Sequence, residues 1–219
     1  MQFKSRITRL MFLLFFIFFG VPLMLFSQEY EALMNGNERF VKEQILEKNF
    51  GTQRTELVNG QHPYAVILSC SDSRVPPEYI FDESLGQLFV IRDAGNVANP
   101  EVMGSIEYAV EHLHSNALVV MGHDKCGAVN AAYDGGDVTD NIESILERIK
   151  PSIEKAKERY KEKDEILVEA TKENAIAQIK FILQNSEIVE HAYIDHELKI
   201  YHAFYRLIDG KVEMIEYKD

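Results

Sequence analysis

The stretch Tyr64-Ala65-Val66-Ile67-Leu68-Ser69-Cys70-Ser71-Asp72-Ser73-Arg74 joins an apolar run directly to a group of polar side chains. A second stretch has the same form, because the apolar run at residues 117–122 ends in His123-Asp124-Lys125-Cys126-Gly127. Short apolar runs of this kind predict buried strands of a parallel sheet. Ligands collect at the carboxyl ends of such strands. We therefore expect the two cysteines, the histidine and an aspartate to meet in one pocket.

The residues outside these stretches predict the rest of a parallel sheet. Residues 88–91 form another apolar run, and a helix from Pro100 to His114 links it to the strand at residue 117, which makes a β-α-β unit. Near the end of the chain, residues 199–207 and 211–217 alternate around Asp209-Gly210, which predicts a hairpin with a two-residue turn. The predicted fold class is α/β, with a mostly parallel central β-sheet flanked by helices and a C-terminal hairpin at one edge.

Helical periodicity marks the segments that flank the sheet. An amphipathic pattern at residues 29–48 predicts one or two helices, which form an N-terminal helical arm. Pro151 is expected to kink or break a helix that spans residues 141–161. His191 and His196 are assigned to a polar connection before the hairpin, in preference to a second metal site. Other helices are predicted near residue 79 and at residues 128–132 and 166–184.

Residues 1–27 predict a signal peptide. A basic stretch that ends at Arg9 is followed by an almost wholly apolar run at residues 10–19, which is the usual form of an export signal. Cleavage near Ser27 would leave one domain, residues 28–219, in a periplasmic or secreted protein. An uncleaved membrane anchor is the alternative, because apolar residues continue to Phe26.

The charge of the chain excludes one class of partner. The formal net charge is −12, from 23 basic and 35 acidic side chains. Residues 1–27 hold three of the basic side chains and no acidic one, so the remaining domain has a net charge of −15. A strongly acidic domain repels phosphate backbones, and nucleic acid is therefore not expected as a partner.

Cys70 and Cys126 are the two cysteines of the chain, and three interpretations of them are open. In an oxidising compartment such a pair commonly forms one structural disulfide. Buried free thiols are the second interpretation. The third is a zinc site, because the cysteines come at strand ends with His123 and Asp72, and zinc binds four ligands of these types. Arg74 is close enough to bind the same carboxylate, which would leave the metal open to water.

Cys-Ser-Asp-Ser-Arg at residues 70–74 and Gly-His-x-x-Cys-Gly at residues 122–127 resemble the motifs of the β-class carbonic anhydrases, here of the exported bacterial type. The resemblance implies reversible hydration of carbon dioxide to bicarbonate, with one Zn²⁺ per subunit. It makes Cys70, His123 and Cys126 the zinc ligands. It also makes Asp72 and Arg74 the catalytic dyad that orients the zinc-bound hydroxide, and Asp72 is a possible fourth ligand once it is freed from Arg74.

The resemblance further implies a small apolar pocket for carbon dioxide and bicarbonate. The positions that match this pocket are Gln61, Phe89, Ala94, Gly95 and Tyr108. Two of them belong to Arg92-Asp93-Ala94-Gly95-Asn96, which is similar to the Arg-Asn-Ala-Gly-Asn loop of the family. In the family the pocket is completed across a dimer interface. The resemblance therefore implies a homodimer or a multiple of dimers, with the N-terminal helix wrapping the partner.

One subgroup of the family has a tryptophan near the position of Gln61 and a second, inhibitory bicarbonate site. This chain contains no tryptophan, which favours the permanently open form of the zinc site. Asp124 and Lys125 belong to the second motif by position, and we assign them to the loop and not to catalysis.

Other classes of protein share parts of this pattern. An inactive zinc-binding domain would keep the cysteines and the histidine but usually lose Asp72 or Arg74, and both are present. An exported protein without activity would pair Cys70 with Cys126 in a disulfide. Enzymes of the same fold that hydrolyse carbon disulfide or carbonyl sulfide are a further alternative, although the chain has no long insertion that would narrow the access to the zinc.

Overall fold

The computed structural model describes residues 27–218, and five strands form its central sheet. The strands are β1 (Ala65–Ser69), β2 (Leu88–Arg92), β3 (Ala117–His123), β4 (Lys199–Tyr205) and β5 (Val212–Glu216). Their order in the sheet is β2-β1-β3-β4-β5. The first four strands pair in parallel, and β5 pairs with β4 in the antiparallel direction. The predicted parallel sheet and its C-terminal hairpin are therefore confirmed.

The turn of the hairpin is wider than the predicted two-residue turn. The N–H of Arg206 donates to the carbonyl of Lys211, so residues 207–210 are looped out. The carboxylate of Asp209 accepts hydrogen bonds from the Arg206 guanidinium and from the N–H of Lys211. Gly210 has a φ of 69°, a conformation that glycine adopts without steric cost. The side-chain bonds of Asp209 thus close a longer loop than the dipeptide alone indicates.

Helices cover both faces of the sheet. The segment that contains His191 was expected to be a polar connection, and this prediction was wrong, because a helix begins after Ser186. The Ser186 hydroxyl caps this helix by accepting a hydrogen bond from the N–H of Val189. Val189 itself is completely buried in the core. The helices are α1 (Gln28–Val41), α2 (Phe50–Glu56), α3 (Pro77–Ile80), α4 (Pro100–Glu111), α5 (Gly127–Asp134), α6 (Asp140–Arg159), α7 (Lys163–Asn185) and α8 (Glu187–Ile194).

Pro151 lies inside α6 without ending it, so the helix is not broken there, and a kink at this position stays a prediction. The proline ring is on the exposed side of the helix, where the carbonyl that it leaves without an N–H partner can face water. Ile149 and Ile153, on either side of it, are both buried in the core. Packing of the apolar side of α6 therefore keeps the helix continuous.

The core has one layer on each face of the sheet. β1 and β3 are buried along their whole length, because helices cover both of their faces. The first layer contains Ile67, Val119 and Met121 with apolar residues of α1, α3, α5 and α6. The second contains Val66, Leu68, Leu118 and Val120 with apolar residues of α4, α7 and α8. β2, at the edge of the sheet, is only half-buried.

Helix α7 contributes to both core layers and passes beside the end of β3. Its first turns contribute Ile166 and Ala170 to the first core layer, and its later turns contribute Ile179 and Ile182 to the second layer. Between these turns, the helix passes so close to Gly122 that a Cβ there would lie 2.7 Å from the side chain of Thr171. The middle of α7 therefore lies beside the carboxyl end of β3.

The N-terminal helix α1 packs on its own chain. Leu33 is completely buried in the core. The amide of Asn37 donates to the carbonyls of Ile80 and Gly210 and accepts the N–H of Val212. These bonds connect α1 to α3 and to the hairpin. Wrapping of α1 around a partner stays a prediction.

The predicted signal peptide lies outside the described residues apart from Ser27. The Ser27 hydroxyl caps α1 by accepting the N–H of Tyr30, and it also bonds to the hydroxyl of Tyr201. A mature chain that begins at Gln28 would lose this cap, which is worth about 1 kcal/mol. Within residues 27–218, no helix is long and apolar enough to cross a membrane.

Replacement of Gly36 tests the contact between α1 and α3. A Cβ at Gly36 would lie 1.8 Å from the carbonyl oxygen of Phe81, so the helix must shift. We expect Gly36→Ala to lower the free energy of unfolding by about 1–3 kcal/mol in urea denaturation. Gly51→Ala, in the exposed helix α2, is the control, because its Cβ meets nothing closer than 3.5 Å. Equal stability of the two variants would contradict the packing of α1 on its own chain.

Candidate metal centre

Two cysteines and a histidine converge at the carboxyl end of the sheet. Cys70 follows β1 directly, His123 is the last residue of β3, and Cys126 is the residue before α5. The two sulfur atoms are 3.9 Å apart, and both lie within 4.8 Å of a ring nitrogen of His123. All three side chains are buried. The structure thus brings the predicted ligands together, although His123 comes 53 positions after Cys70 in the sequence.

The imidazole of His123 is held in one orientation. Its Nδ1 lies 2.8 Å from the carbonyl oxygen of Asp124, and a carbonyl accepts hydrogen bonds, so the proton is on Nδ1. The carboxylate of Asp124 in turn accepts the N–H of Leu207, which fixes the loop to the hairpin. Nε2 is buried and has no hydrogen-bond partner among the described residues. A buried ring nitrogen with a free lone pair is a suitable metal ligand.

The surroundings of the two sulfurs favour the thiolate form of Cys70. A hydrogen bond from the Cys126 thiol, together with the N–H of Gly95, lowers the pKa of the Cys70 thiol. The same contact with Cys70, together with burial, raises the pKa of Cys126. One proton is therefore shared by two sulfurs. The backbone N–H groups of Ala128 and Val129 at the start of α5 act in the opposite direction on Cys126 and favour its thiolate.

This set of donors fits zinc. Two cysteine sulfurs and one imidazole nitrogen are three of the four tetrahedral ligands that Zn²⁺ prefers, and a cation would replace the shared proton. The disulfide interpretation does not hold in this structure, because the sulfurs are free thiols at 3.9 Å. Three protein ligands leave one position for a water molecule, as in catalytic zinc sites.

Asp72 is held beside this group by Arg74. The Arg74 guanidinium donates from Nε to Oδ1 at 2.9 Å and from Nη2 to Oδ2 at 2.7 Å, and the Arg74 backbone N–H also donates to Oδ1. These hydrogen bonds hold the pKa of the Asp72 carboxyl well below its usual range. Oδ2 lies 4.0 Å from Nε2 of His123. Asp72 does not belong to the group of three ligands while Arg74 binds its carboxylate, and its role as a fourth ligand once it is freed stays a prediction.

A third chain segment supports the centre from the end of β2. Arg92 donates hydrogen bonds to the carbonyls of Cys70 and Asp72, at 3.1 and 2.6 Å. A short 3-10 turn, Ala94–Asn96, then brings the N–H of Gly95 to 3.3 Å from the sulfur of Cys70. Gly95 has a φ of 69°, and a Cβ there would lie 2.6 Å from Ile149. A glycine is therefore required at this contact.

The other predicted pocket residues are not beside the three ligands. Gln61 precedes β1, at the amino end of the sheet, and lines an exposed groove with Leu85 and Gly86. A strand of five residues is about 16 Å long, so β1 alone separates Gln61 from Cys70. Phe89 and Tyr108 contact each other at a ring separation of 6.2 Å beside the edge strand β2. Ala94 and Gly95 are the two pocket positions that lie next to the centre.

Sequence reasoning gave no role to several residues that hold the centre. Asp124 was assigned to the loop, yet its carbonyl orients His123. Arg92 belongs to the Arg-Asp-Ala-Gly-Asn motif, and the sequence alone does not show that it binds the carbonyls of Cys70 and Asp72. Two buried amides of α7, Asn174 and Gln178, bond to the turn that carries Gly95. A pair of amides four residues apart within an apolar stripe of a helix is the sequence signal that could have identified them.

The sequence profile of the carbonic anhydrase family matches residues 65–212, which include every residue of this centre. The chain belongs to the β-carbonic anhydrase family. The resemblance seen in the two motifs is thereby confirmed, as is the assignment to an enzyme class, and zinc is the metal that this family uses. Export of the chain stays a prediction.

Two carbonic anhydrases of mycobacteria are similar to this chain. A carbonic anhydrase of Mycolicibacterium smegmatis is 39% identical over 191 residues, which cover 84% of this chain and 91% of the relative. Carbonic anhydrase 2 of Mycobacterium tuberculosis is 46% identical over 129 residues, which cover 57% of this chain and 62% of the relative.

Solved structures of the β-carbonic anhydrases have the same fold. CafA of Aspergillus fumigatus is 26% identical, with a TM-score of 0.68 over 85% of this chain and 90% of that chain. A tetrameric β-carbonic anhydrase of Sordaria macrospora has a TM-score of 0.70 at 23% identity, over 88% of this chain and 100% of that chain. The α/β fold class is thus confirmed.

Metal titration tests the three ligands. We expect metal-free protein to bind one equivalent of Zn²⁺. Cys126→Ser should weaken this binding by at least about 100-fold, because it removes a thiolate ligand. Loss of a residue that only hydrogen-bonds to a ligand already costs up to about 100-fold. His62→Ala is the control, since His62 is exposed at the amino end of the sheet. Competition with a chelator of known affinity measures the change, and equal affinity in Cys126→Ser would contradict the assignment.

Proposed function

We propose that this enzyme hydrates carbon dioxide reversibly at the group formed by Cys70, His123 and Cys126, and that Asp72 and Arg74 orient the attacking water. The observation that carries the proposal is the position of Asp72. Its carboxylate oxygen Oδ2 lies 4.0 Å from the free Nε2 of His123, close to where a metal ion bound by that nitrogen would hold a water molecule.

The hydrogen bonds to Arg74 leave one acceptor position of the Asp72 carboxylate open. Oδ1 accepts two hydrogen bonds, from the backbone N–H and the Nε of Arg74, so its lone pairs are used. Oδ2 accepts one, from Nη2 of Arg74. A carboxylate oxygen can accept two hydrogen bonds, so one position on Oδ2 remains. This is the oxygen closer to the metal ligands, and it can accept a hydrogen bond from water.

Each residue then has a defined task. Zinc, when bound, supplies a Lewis acid that lowers the pKa of a water molecule next to Asp72. Asp72 accepts a hydrogen bond from that water, which aims an oxygen lone pair at the carbon of the substrate. Arg74 keeps Asp72 ionised and fixed. Because the pKa of Asp72 is far below neutral, the carboxylate does not retain the proton, which passes to solvent as carbon dioxide and water become bicarbonate.

The Asp72→Asn variant tests this assignment. The amide keeps the size of the side chain but loses the charge that binds Arg74 and accepts from water. We expect the hydration rate in stopped-flow assays with a pH indicator to fall by about 10²–10³-fold, the scale of loss of an oriented proton acceptor. One zinc per chain should remain, because Asp72 is not among the three ligands.

Asp195→Asn is the matched control for that variant, since Asp195 is exposed after α8 and precedes β4 at the opposite end of the sheet. It should hydrate carbon dioxide at the unchanged rate. Full activity of zinc-loaded Asp72→Asn would refute the role of Asp72. No activity in zinc-loaded protein without the substitution would refute carbon dioxide as the substrate.

We also propose that a second copy of the chain completes the substrate pocket. The edge strand β2 is half-buried, and an open strand edge is normally paired or covered. Beside it, Phe50, Tyr79, Leu85 and Leu88 line a cavity of 420 Å³. Tyr108, which contacts Phe89, is 47% exposed. Gln61, the remaining pocket position, is too far from Cys70 of its own chain to contact a substrate there.

Mixing two inactive variants tests the shared pocket. One carries Gln61→Ala with an intact Asp72, and the other carries Asp72→Asn with an intact Gln61. If Gln61 serves the partner's site, each mixed dimer contains one complete site. Random exchange of subunits should then restore about a quarter of the activity per site of the unmodified dimer. If Gln61 serves its own site, mixing restores nothing, and a monomer in sedimentation equilibrium would also contradict the proposal.

A further inference from the structure

Two amide side chains are completely enclosed in the middle of α7, beside the end of β3. Asn174 is 0% exposed and Gln178 is 3% exposed. A buried amide is costly unless it is hydrogen-bonded, so the partners of these two side chains show what holds them there. Both bond to the backbone that follows β2, which is the segment that supports Cys70.

Asn174 binds the residue that contacts the sulfur. Its Nδ2 donates to the carbonyl of Gly95 at 2.8 Å, while the N–H of Gly95 donates to Sγ of Cys70 at 3.3 Å. These two groups lie on either side of the Gly95 Cα. The bond from Asn174 therefore restrains the backbone angles of Gly95, and these angles determine where the N–H points.

Gln178 fixes which way the Asn174 amide faces. Its Oε1 accepts the backbone N–H of Ala98 at 2.9 Å, so its Nε2 is the donor to Oδ1 of Asn174, at 3.0 Å. With Oδ1 occupied as an acceptor, Nδ2 of Asn174 must face Gly95. Arg148 adds a further bond, from Nη1 to the carbonyl of Ala98 at 3.0 Å. The segment from Gly95 to Ala98 is thus held at both ends by side chains of α6 and α7.

We propose that Asn174 is a positioning residue for the metal centre, which acts through the N–H of Gly95 on the sulfur of Cys70. The inference rests on the proposed function, because it takes Cys70 as a zinc ligand. A hydrogen bond to a ligating sulfur sets its orientation and its donor strength, and such outer-shell partners typically contribute 10–100-fold in metal affinity. Gln178 supports this role by orienting Asn174.

The hydrogen bond from Asn174 to Gly95 shows that this side chain does more than fill space in the core. An apolar side chain of similar size would fill this buried position without the cost of burying polar atoms. The amide instead satisfies a carbonyl that lies outside regular secondary structure. Loss of this bond frees the turn to move, and the N–H then leaves the sulfur.

The test compares Asn174→Leu with a control that weakens the same helix elsewhere. Ile182→Val removes one buried methyl group of α7 in the second core layer and touches none of the bonds above. Zinc affinity is measured by competition with a chelator. Co²⁺ in place of zinc gives a sulfur-to-cobalt absorption band that reports on the thiolates directly. Neither measurement uses carbon dioxide.

We expect Asn174→Leu to weaken zinc binding by about 10–100-fold and to shift the sulfur-to-cobalt band, while Ile182→Val leaves both unchanged. Gln178→Leu should give a smaller change in the same direction, and it takes the place of Asn174→Leu if that variant does not fold. Unchanged affinity and spectrum in the amide variants would overturn the proposal. The same losses in Ile182→Val would also overturn it, since they would follow from stability alone.

These results separate the positioning role from the proposed function. If Asp72→Asn loses turnover while the amide variants bind zinc normally, the role of Asn174 fails alone. If the amide variants lose affinity and the zinc-loaded protein does not hydrate carbon dioxide, the substrate assignment fails and the positioning of Cys70 stands.

Discussion

The parallel pairing of β1 with β3 is the constraint on which the metal centre depends. In this pairing Ser69 lies opposite Met121, so the carboxyl ends of the two strands lie side by side. Cys70 follows one residue after this pair and His123 two residues after it. Full burial of one large apolar side chain contributes roughly 1.5–3 kcal/mol, and both strands are buried throughout. A slip of one residue would turn every side chain to the opposite face. The core therefore fixes the positions of the ligands independently of any metal.

Beyond the strand ends, polar side chains hold the loops by binding backbone groups. Arg92 binds the carbonyls of Cys70 and Asp72, and Asp124 binds the N–H of Leu207. Such groups have no partners from sheet or helix, and these side chains supply the missing hydrogen bonds. The side chains that satisfy these groups also restrict the loops. This is why the ligand-bearing segments have defined positions although they lie outside regular structure.

The parts that could be predicted from the sequence are those determined locally. Uninterrupted apolar runs identified β1 and β3, and the spacing of two residues between Asp72 and Arg74 was sufficient to predict their ion pair. α6 continues through Pro151 because of tertiary packing, which a residue-by-residue pattern does not contain. α8 was missed for another reason. Its apolar residues Ile188, Val189, Ala192 and Tyr193 do have helical spacing, but the neighbouring histidines and acidic residues suggested a polar connection.

The predicted site residues lie at two opposite ends of the strands. Cys70, His123 and Gly95 lie at the carboxyl ends of strands, whereas Gln61 lies at the amino end. One parallel sheet cannot bring its two ends together. In a symmetric dimer, however, a twofold axis perpendicular to β2 would set the two copies of this strand antiparallel, and the amino end of one sheet would then face the carboxyl end of the other. A pocket that contains both Gln61 and Cys70 therefore requires two chains, and the open edge at β2 is where the proposed dimer would form.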